Sequence, residues 1–312
     1  MVRARLIVQA SENAGARQPV VVRVGERAGC RAGRSGTGDH APWHRRAARY
    51  GPGPVTCRPG RRLPWVIVTG PLAPLLELAG VPEALTAART DVDAALRHPA
   101  LRAAGGTVAA EVALRSAVAS AALEGHGYPL DEVRAGTVTD PVVQGALRVS
   151  RELDDLAMLW TRVPRQVLAR VHVLAARDVV PAGQLGRPVP APAGAVRLAT
   201  LLELVTAPPG VPAMLLAAVV HAELVTIAPF AGPGGVVARL AARLCLVAGG
   251  LDPRGLLAPE VGHLDRRPEY VGALGAFATG TPDGLRAWLR HYATAISLAA
   301  AAASAAGDVL RA

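Results

Sequence analysis

HAELVTIAPFAGPGGVVARLAARLCLVAGGLDP, running from His221 to Pro253, is the stretch on which the fold turns. An apolar run of helical character ends at Pro229 and Phe230, the loop Gly232-Pro233-Gly234-Gly235 follows, and a second helical run with Arg239 and Arg243 begins at once. Proline closes the first helix because it has no N–H to give the ladder. The first N–H groups of the second helix have no intrahelical acceptor and the peptide dipoles add positive potential there. Glycines at that point let a phosphate approach the backbone, so the layout is that of an anion site. The same layout also serves as a plain tight connection between two helices.

Upstream, the run from Glu111 to Gly136 holds Ser120-x-x-x-Glu124-Gly125. Ser116, Ser120 and Glu124 are spaced by four and share one helix face. Leu114, Val118 and Ala122 form an adjacent apolar stripe, and Gly125 is the expected C-terminal stop of the helix. Taken alone, Glu124 reads as a solvated carboxylate near a helix end.

Together the two fragments resemble the Fic (Fido) family, whose signature is His-Pro-Phe-x-Asp/Glu-Gly-Asn-Gly-Arg-x-x-Arg. His221 and Ile227 stand at the family's lead-in positions, and Pro229, Phe230, Gly235 and Arg239 match the signature in register. Ser120, Glu124 and Gly125 resemble the family's inhibitory Ser/Thr-x-x-x-Glu-Gly/Asn motif. The resemblance implies that Glu124 pairs with Arg239 and obstructs the site of a nucleotide γ-phosphate. A structural role for the same pair is the alternative, since breaking a buried pair typically costs about 3–5 kcal/mol.

The departures fall on the chemistry. Ala228 stands where the family has its general-base His, Gly232 where it has the metal-holding acid, Gly234 where it has Asn and Val236 where it has the first Arg, while Pro233 replaces a further Gly. General-base catalysis alone is typically worth about 10²–10⁴-fold, and the cation and Arg clamp would add electrostatic stabilisation. No catalytic residue and no metal ligand is therefore expected. Gly232, Gly234, Gly235 and Arg239 remain as candidate nucleotide contacts, with ATP or another nucleotide as the candidate ligand.

Charge divides the chain of 312 residues sharply. Residues 1–63 carry 13 Arg and 3 acids, whereas residues 64–312 carry 21 Arg and 21 acids, and no Lys occurs anywhere. The net charge of +10 thus belongs to the first fifth and does not make the rest of the chain a nucleic-acid binder. That basic arm is rich in Gly and Pro, and its one strand-like run is PVVVRV at 19–24. It is expected to be disordered, or an upstream extension outside the natural product, and to bind nucleic acid only if it is translated. Cys30, Cys57 and Cys245 suggest neither a disulfide framework nor a metal site, and Cys245 reads as a buried thiol. His172 and His221 read as core histidines. Neither a signal peptide nor a membrane span stands out, so a cytoplasmic location is expected.

Helix-period apolar spacing covers 81–97, 109–124, 141–160, 164–178, 211–227, 235–249 and 283–306. Four prolines make a long paired strand unfavourable in the irregular stretch 181–198. There Val189 and Ala195 to Leu198 are expected to form at most the small hairpin that serves as a flap in the resembled family. Trp288, Tyr270 and Tyr292 are expected to anchor the core beside the last, Ala-rich helix. The expected architecture is all-α, a Fic-like bundle with an arm at 1–63, an N-terminal helical region with the inhibitory-type helix at 64–145, and the core with C-terminal helices at 146–312. The leading functional expectation is a pseudoenzyme that binds a nucleotide or a protein partner without transfer. One alternative is an active AMP-transferase-like enzyme that modifies protein hydroxyls by an altered mechanism. Another is an interaction module acting through the basic arm.

Overall fold

The computed structural model describes residues 20–21, 67–68, 70–103, 105–207 and 210–310. The basic arm therefore lies outside the described residues apart from the two-residue strand β1, Val20–Val21, which pairs antiparallel with β2, Ile67–Val68. The remainder is helical, in the order α1 (Val81–Arg97), α2 (Pro99–Ala103), α3 (Gly105–Leu123), α4 (Leu130–Arg134), α5 (Pro141–Arg151), α6 (Leu153–Trp160) and α7 (Pro164–Ala176), followed by α8 (Pro192–Thr206), α9 (Ala213–Ile227), α10 (Gly234–Ala248), α11 (Pro259–Asp265), α12 (Arg267–Thr279) and α13 (Pro282–Val309). The protein is all-α in class, with no flap hairpin among the described residues of 181–198.

Proline and glycine set these boundaries. Pro82, Pro141, Pro164, Pro192, Pro259, Pro268 and Pro282 each occupy the first or second position of a helix, where a missing N–H costs nothing. Asp140 caps α5, its Oδ1 accepting from the Val142 and Val143 amides at 2.9 and 3.1 Å. Gly145 lets α5 cross α7 closely, since a methyl group there would collide with the Ala175 carbonyl.

The middle of the molecule is α9, buried almost continuously from Met214 to Leu224. A helix apolar on every side must be enclosed on every side, and α9 forms its most extensive pairing with α10. α13 packs against α1, α11 and α12, and α3 against α5 and α11. The window Gly106–Leu123 of α3 is long and apolar enough to cross a membrane by length and composition. Within the bundle this helix packs against α5, α10 and α11, with 39% of that window buried. Trp288, Tyr270 and Tyr292 are all buried beside α13, and the Cys245 thiol, pushed up to about 12 by burial, accepts from Trp160 Nε1.

Several boundaries differ from the sequence reading. The run 141–160 is two helices, broken at Glu152, whose N–H turns back to Val149 O. The stretch from Ala195 to Leu198, expected in at most a small hairpin, lies inside α8, because Pro192, read only as unfavourable to a paired strand, begins that helix. Helices α2, α4, α11 and α12 had no apolar period strong enough to announce them.

Candidate functional site

α9 ends at Ala228, whose N–H reaches Leu224 O and whose φ of 46° and ψ of 59° put it in the left-handed region. It is the one non-glycine residue with positive φ among those described. Its methyl group is exposed, so the position of the signature His faces outward with no group able to take a proton.

Beyond it the chain is clamped from two sides. His172 Nδ1 accepts from the Gly186 amide at 3.0 Å, which leaves Nε2 to donate to Ala231 O at 2.8 Å. The same ring stacks on Phe230 with centroids 4.6 Å apart. Burial holds the His172 pKa below its ordinary value, consistent with a neutral ring whose two nitrogens are both satisfied. On the other side Val189 N–H donates to Pro229 O at 2.8 Å, so the extended residues before α8 lie against the loop.

The glycines of the loop have different surroundings. Gly232 has φ of 77°, and a methyl group there would stand 2.8 Å from Val180 Cγ1. A side chain at Gly232, the position matched to the resembled family's metal-holding acid, would thus run into Val180, with Val179 beside it. Gly234, at the Asn position, faces open space. Val236, at the first Arg position, is buried against α5 and α3, where Val149, Ser116 and Ser120 line the same narrow gap.

Gly235 is the position where the two sequence fragments meet. Any side chain there would collide with the Glu124 carboxylate, which covers the first turn of α10. Glu124 Oε1 accepts from Arg239 Nη2 at 2.7 Å. Arg239 also donates to Ser120 Oγ, to Ser120 O and to Tyr270 OH, at 2.9, 2.9 and 3.2 Å. Burial disfavours the Arg239 charge, but the Tyr270 oxygen and the Glu124 carboxylate outweigh it and raise its pKa above the ordinary arginine value. One turn on, Arg243 Nη1 donates to Ser116 Oγ at 2.9 Å. Ser116 and Ser120 on α3 and Arg239 and Arg243 on α10 therefore form two rungs of one ladder. The i, i+4 spacing of each pair was visible in the sequence, whereas Tyr270 was placed there only as a core anchor.

Behind Arg239 lies a cluster of buried rings. His221 Nε2 meets Tyr270 OH at 3.0 Å, and His263 Nδ1 meets His291 Nε2 at 3.0 Å. Burial, with Arg239 close by, drives the His221 and His263 pKa values well down. His221 is thus a core histidine that orients Tyr270. The participation of His263 and His291 had no sequence signal. No group of three His, Cys, Asp or Glu side chains suited to a metal ion occurs among the described residues.

No family model and no curated protein matches the chain. Solved structures do. A Fic family protein from Desulfovibrio desulfuricans G20 superposes with TM-score 0.60 and 20% identity over 73% of this chain and 75% of that one. A fragment of Fic-1 from C. elegans gives TM-score 0.60 and 19% identity over 76% and 75% of the two chains. A glutamate-to-glycine variant of that fragment gives 0.61 and 20% over 75% and 74%. The chain has the fold of the Fic proteins.

Proposed function

We propose that this chain is a Fic-fold pseudoenzyme whose loop is closed by its own carboxylate and transfers no nucleotidyl group. The observation that carries the reading is the seat of Glu124. Its carboxylate occupies the glycine face of Gly235 at the start of α10, where a phosphate would sit, and is held there by a buried Arg239. Around it, Ala228 has no base to offer and Gly232 has no oxygen ligand for a cation. The residues present do not fit the divalent cation that nucleotidyl transfer in this family uses, and no step through one is derived.

The cavity of about 250 Å³ lined by Arg151, Arg243 and Arg254 lies away from the loop, and the gap beside Val236 is too narrow to admit a ligand. A nucleotide would have to displace Glu124 first, and protein partners approaching the loop meet Val189 and the exposed Ala228. Incubation with labelled ATP and candidate protein acceptors tests the reading, using the full chain and a Glu124→Gly variant. Background labelling of both is expected. Stimulated labelling in the variant would show that the carboxylate restrains a working transferase, and would sink the pseudoenzyme reading.

A further inference from the structure

A cavity of about 250 Å³ lies between α3, α5, α6 and the segment that follows α10. It exists because the surrounding residues are small on two sides. α3 presents Ala109 and Ala113 to it, and Gly255 turns at φ of 62° where even a methyl group would come within 3.0 Å of Leu153 Cδ2.

Its polar wall is strongly one-signed. Arg151, Arg243 and Arg254 line it, against one carboxylate, Asp154. Arg243 is 1% exposed, and its two donating nitrogens go to neutral oxygens, Ser116 Oγ at 2.9 Å and Gly255 O at 3.1 Å, while its Nε is unpartnered. Arg254 is likewise held by carbonyls, donating to Leu101 O at 2.8 Å and to Leu96 O at 3.4 Å. Among the described residues no carboxylate stands within ion-pair distance of any of the three guanidinium groups. Asp252 is close in the chain, but both its oxygens are taken by the Leu256 and Leu257 amides at 2.8 Å. Glu260 leaves Oε2 unpartnered and interacts with the Arg243 charge at longer range without closing an ion pair.

Asp252 and Glu260 lie near enough to feel the Arg243 charge, yet neither closes an ion pair on it, and three guanidinium groups converging on one cavity against a single lining carboxylate favour an anion there. The volume is below the roughly 300–1,000 Å³ of pockets that enclose drug-sized ligands, which suits a small anion. The lone Asp154 adds a chemical condition, because it would repel an anion that has no proton to donate. Phosphate and its monoesters titrate near neutrality and keep an O–H for Asp154 while their other oxygens face the arginines.

We propose that this cavity is a phosphate-binding site, separate from the glycine loop and independent of whether the loop takes a nucleotide. Arg151, Arg243 and Arg254 receive the charged oxygens and Asp154 accepts the remaining proton. Inorganic phosphate is the probe, titrated calorimetrically at pH 7 and constant ionic strength, with sulfate in a parallel titration. Saturable phosphate binding is expected, with sulfate at least tenfold weaker. Arg151→Ala, an exposed change, should weaken phosphate at least tenfold, and Ala113→Leu, which fills the cavity, should do the same. Glu124→Gly should leave the affinity within twofold. Absent saturation, equal binding of the two anions, or indifference to both cavity variants in chains that melt normally overturns the proposal. A gain confined to Glu124→Gly does so too, by placing the anion at the loop.

Discussion

One backbone angle at Ala228 separates the geometry of this site from its chemistry. The left-handed conformation costs a non-glycine residue roughly 1–2 kcal/mol, and here an alanine adopts it with its methyl group in solvent. Ala228→Gly should raise stability by about 1 kcal/mol in a denaturant titration, because glycine enters that region without the Cβ clash. An unchanged midpoint would mean that the turn relaxes in solution. Glu124 is the opposite case, a residue whose removal leaves a charge stranded. Arg239 is buried and keeps only neutral oxygens once the carboxylate is gone. Breaking such a pair typically costs about 3–5 kcal/mol. Glu124 is about a quarter exposed, and water reaching the vacated place lowers the expected loss for Glu124→Ala to about 2–3 kcal/mol. Both residues were legible because the resembled motifs have fixed spacing, Ala228 as a departure from one and Glu124 as a match to the other. Tyr270 was not legible as a partner of Arg239, because it comes from a helix with no motif and reaches the guanidinium only through the packing of α12 on α13.

At the scale of elements, α3 and α10 are fastened by pairs rather than by single contacts. Ser116 and Ser120 meet Arg243 and Arg239 with the same four-residue step on both helices, so each rung holds the register for the other. Ser116→Ala and Ser120→Ala should each cost about 1–3 kcal/mol, the penalty for leaving a buried charged donor unsatisfied. Because one register serves both rungs, the double variant should cost less than the sum of the singles. Denaturant titrations of the double-mutant cycle give that coupling, and strict additivity would mean that the rungs act independently. The same logic explains which helices could be read from the sequence. α1 was bounded at both ends because its apolar residues recur at helical spacing and a Pro opens it. α11 could not be, since its buried residues include the polar Glu260 and His263, and α12 buries only Tyr270, Ala273 and Phe277, too short a face to stand out before its packing on α13 is known. α8 was misread for a related reason, because prolines argue against strands everywhere but favour helices at one position only.

At the scale of the whole molecule, the cluster of three buried histidines behind Arg239 makes stability depend on pH, and His172, also lowered by burial, acts in the same sense. His221, His263 and His291 sit among Tyr270, Trp288 and Tyr292, with Arg239 facing the first two and Glu269 and Arg266 facing the third. Burial depresses all three, His291 to about 4 from an ordinary 6.5. In the unfolded chain these rings take up protons near pH 6.5, while the folded chain refuses them until far lower pH. Their contribution is therefore fully present above about pH 6.5 and is lost as pH falls from there through about 4, at up to about 1.4 kcal/mol per pH unit for each ring. Asp252 works the other way. Burial raises it to about 6, so the folded chain binds its proton more readily and gains stability as pH falls between that value and the ordinary 3.8. Glu260, also raised by burial, adds to that opposing trend. The histidines outnumber the two acids and leave a net loss, and it begins near pH 6.5, above the value of about 6 at which Asp252 starts to respond. The melting temperature should accordingly fall between pH 7 and pH 5, and His291→Gln, which cannot take up a proton, should flatten part of that fall. A melting temperature constant over this range would mean that water reaches the rings and that the cluster is not closed in solution.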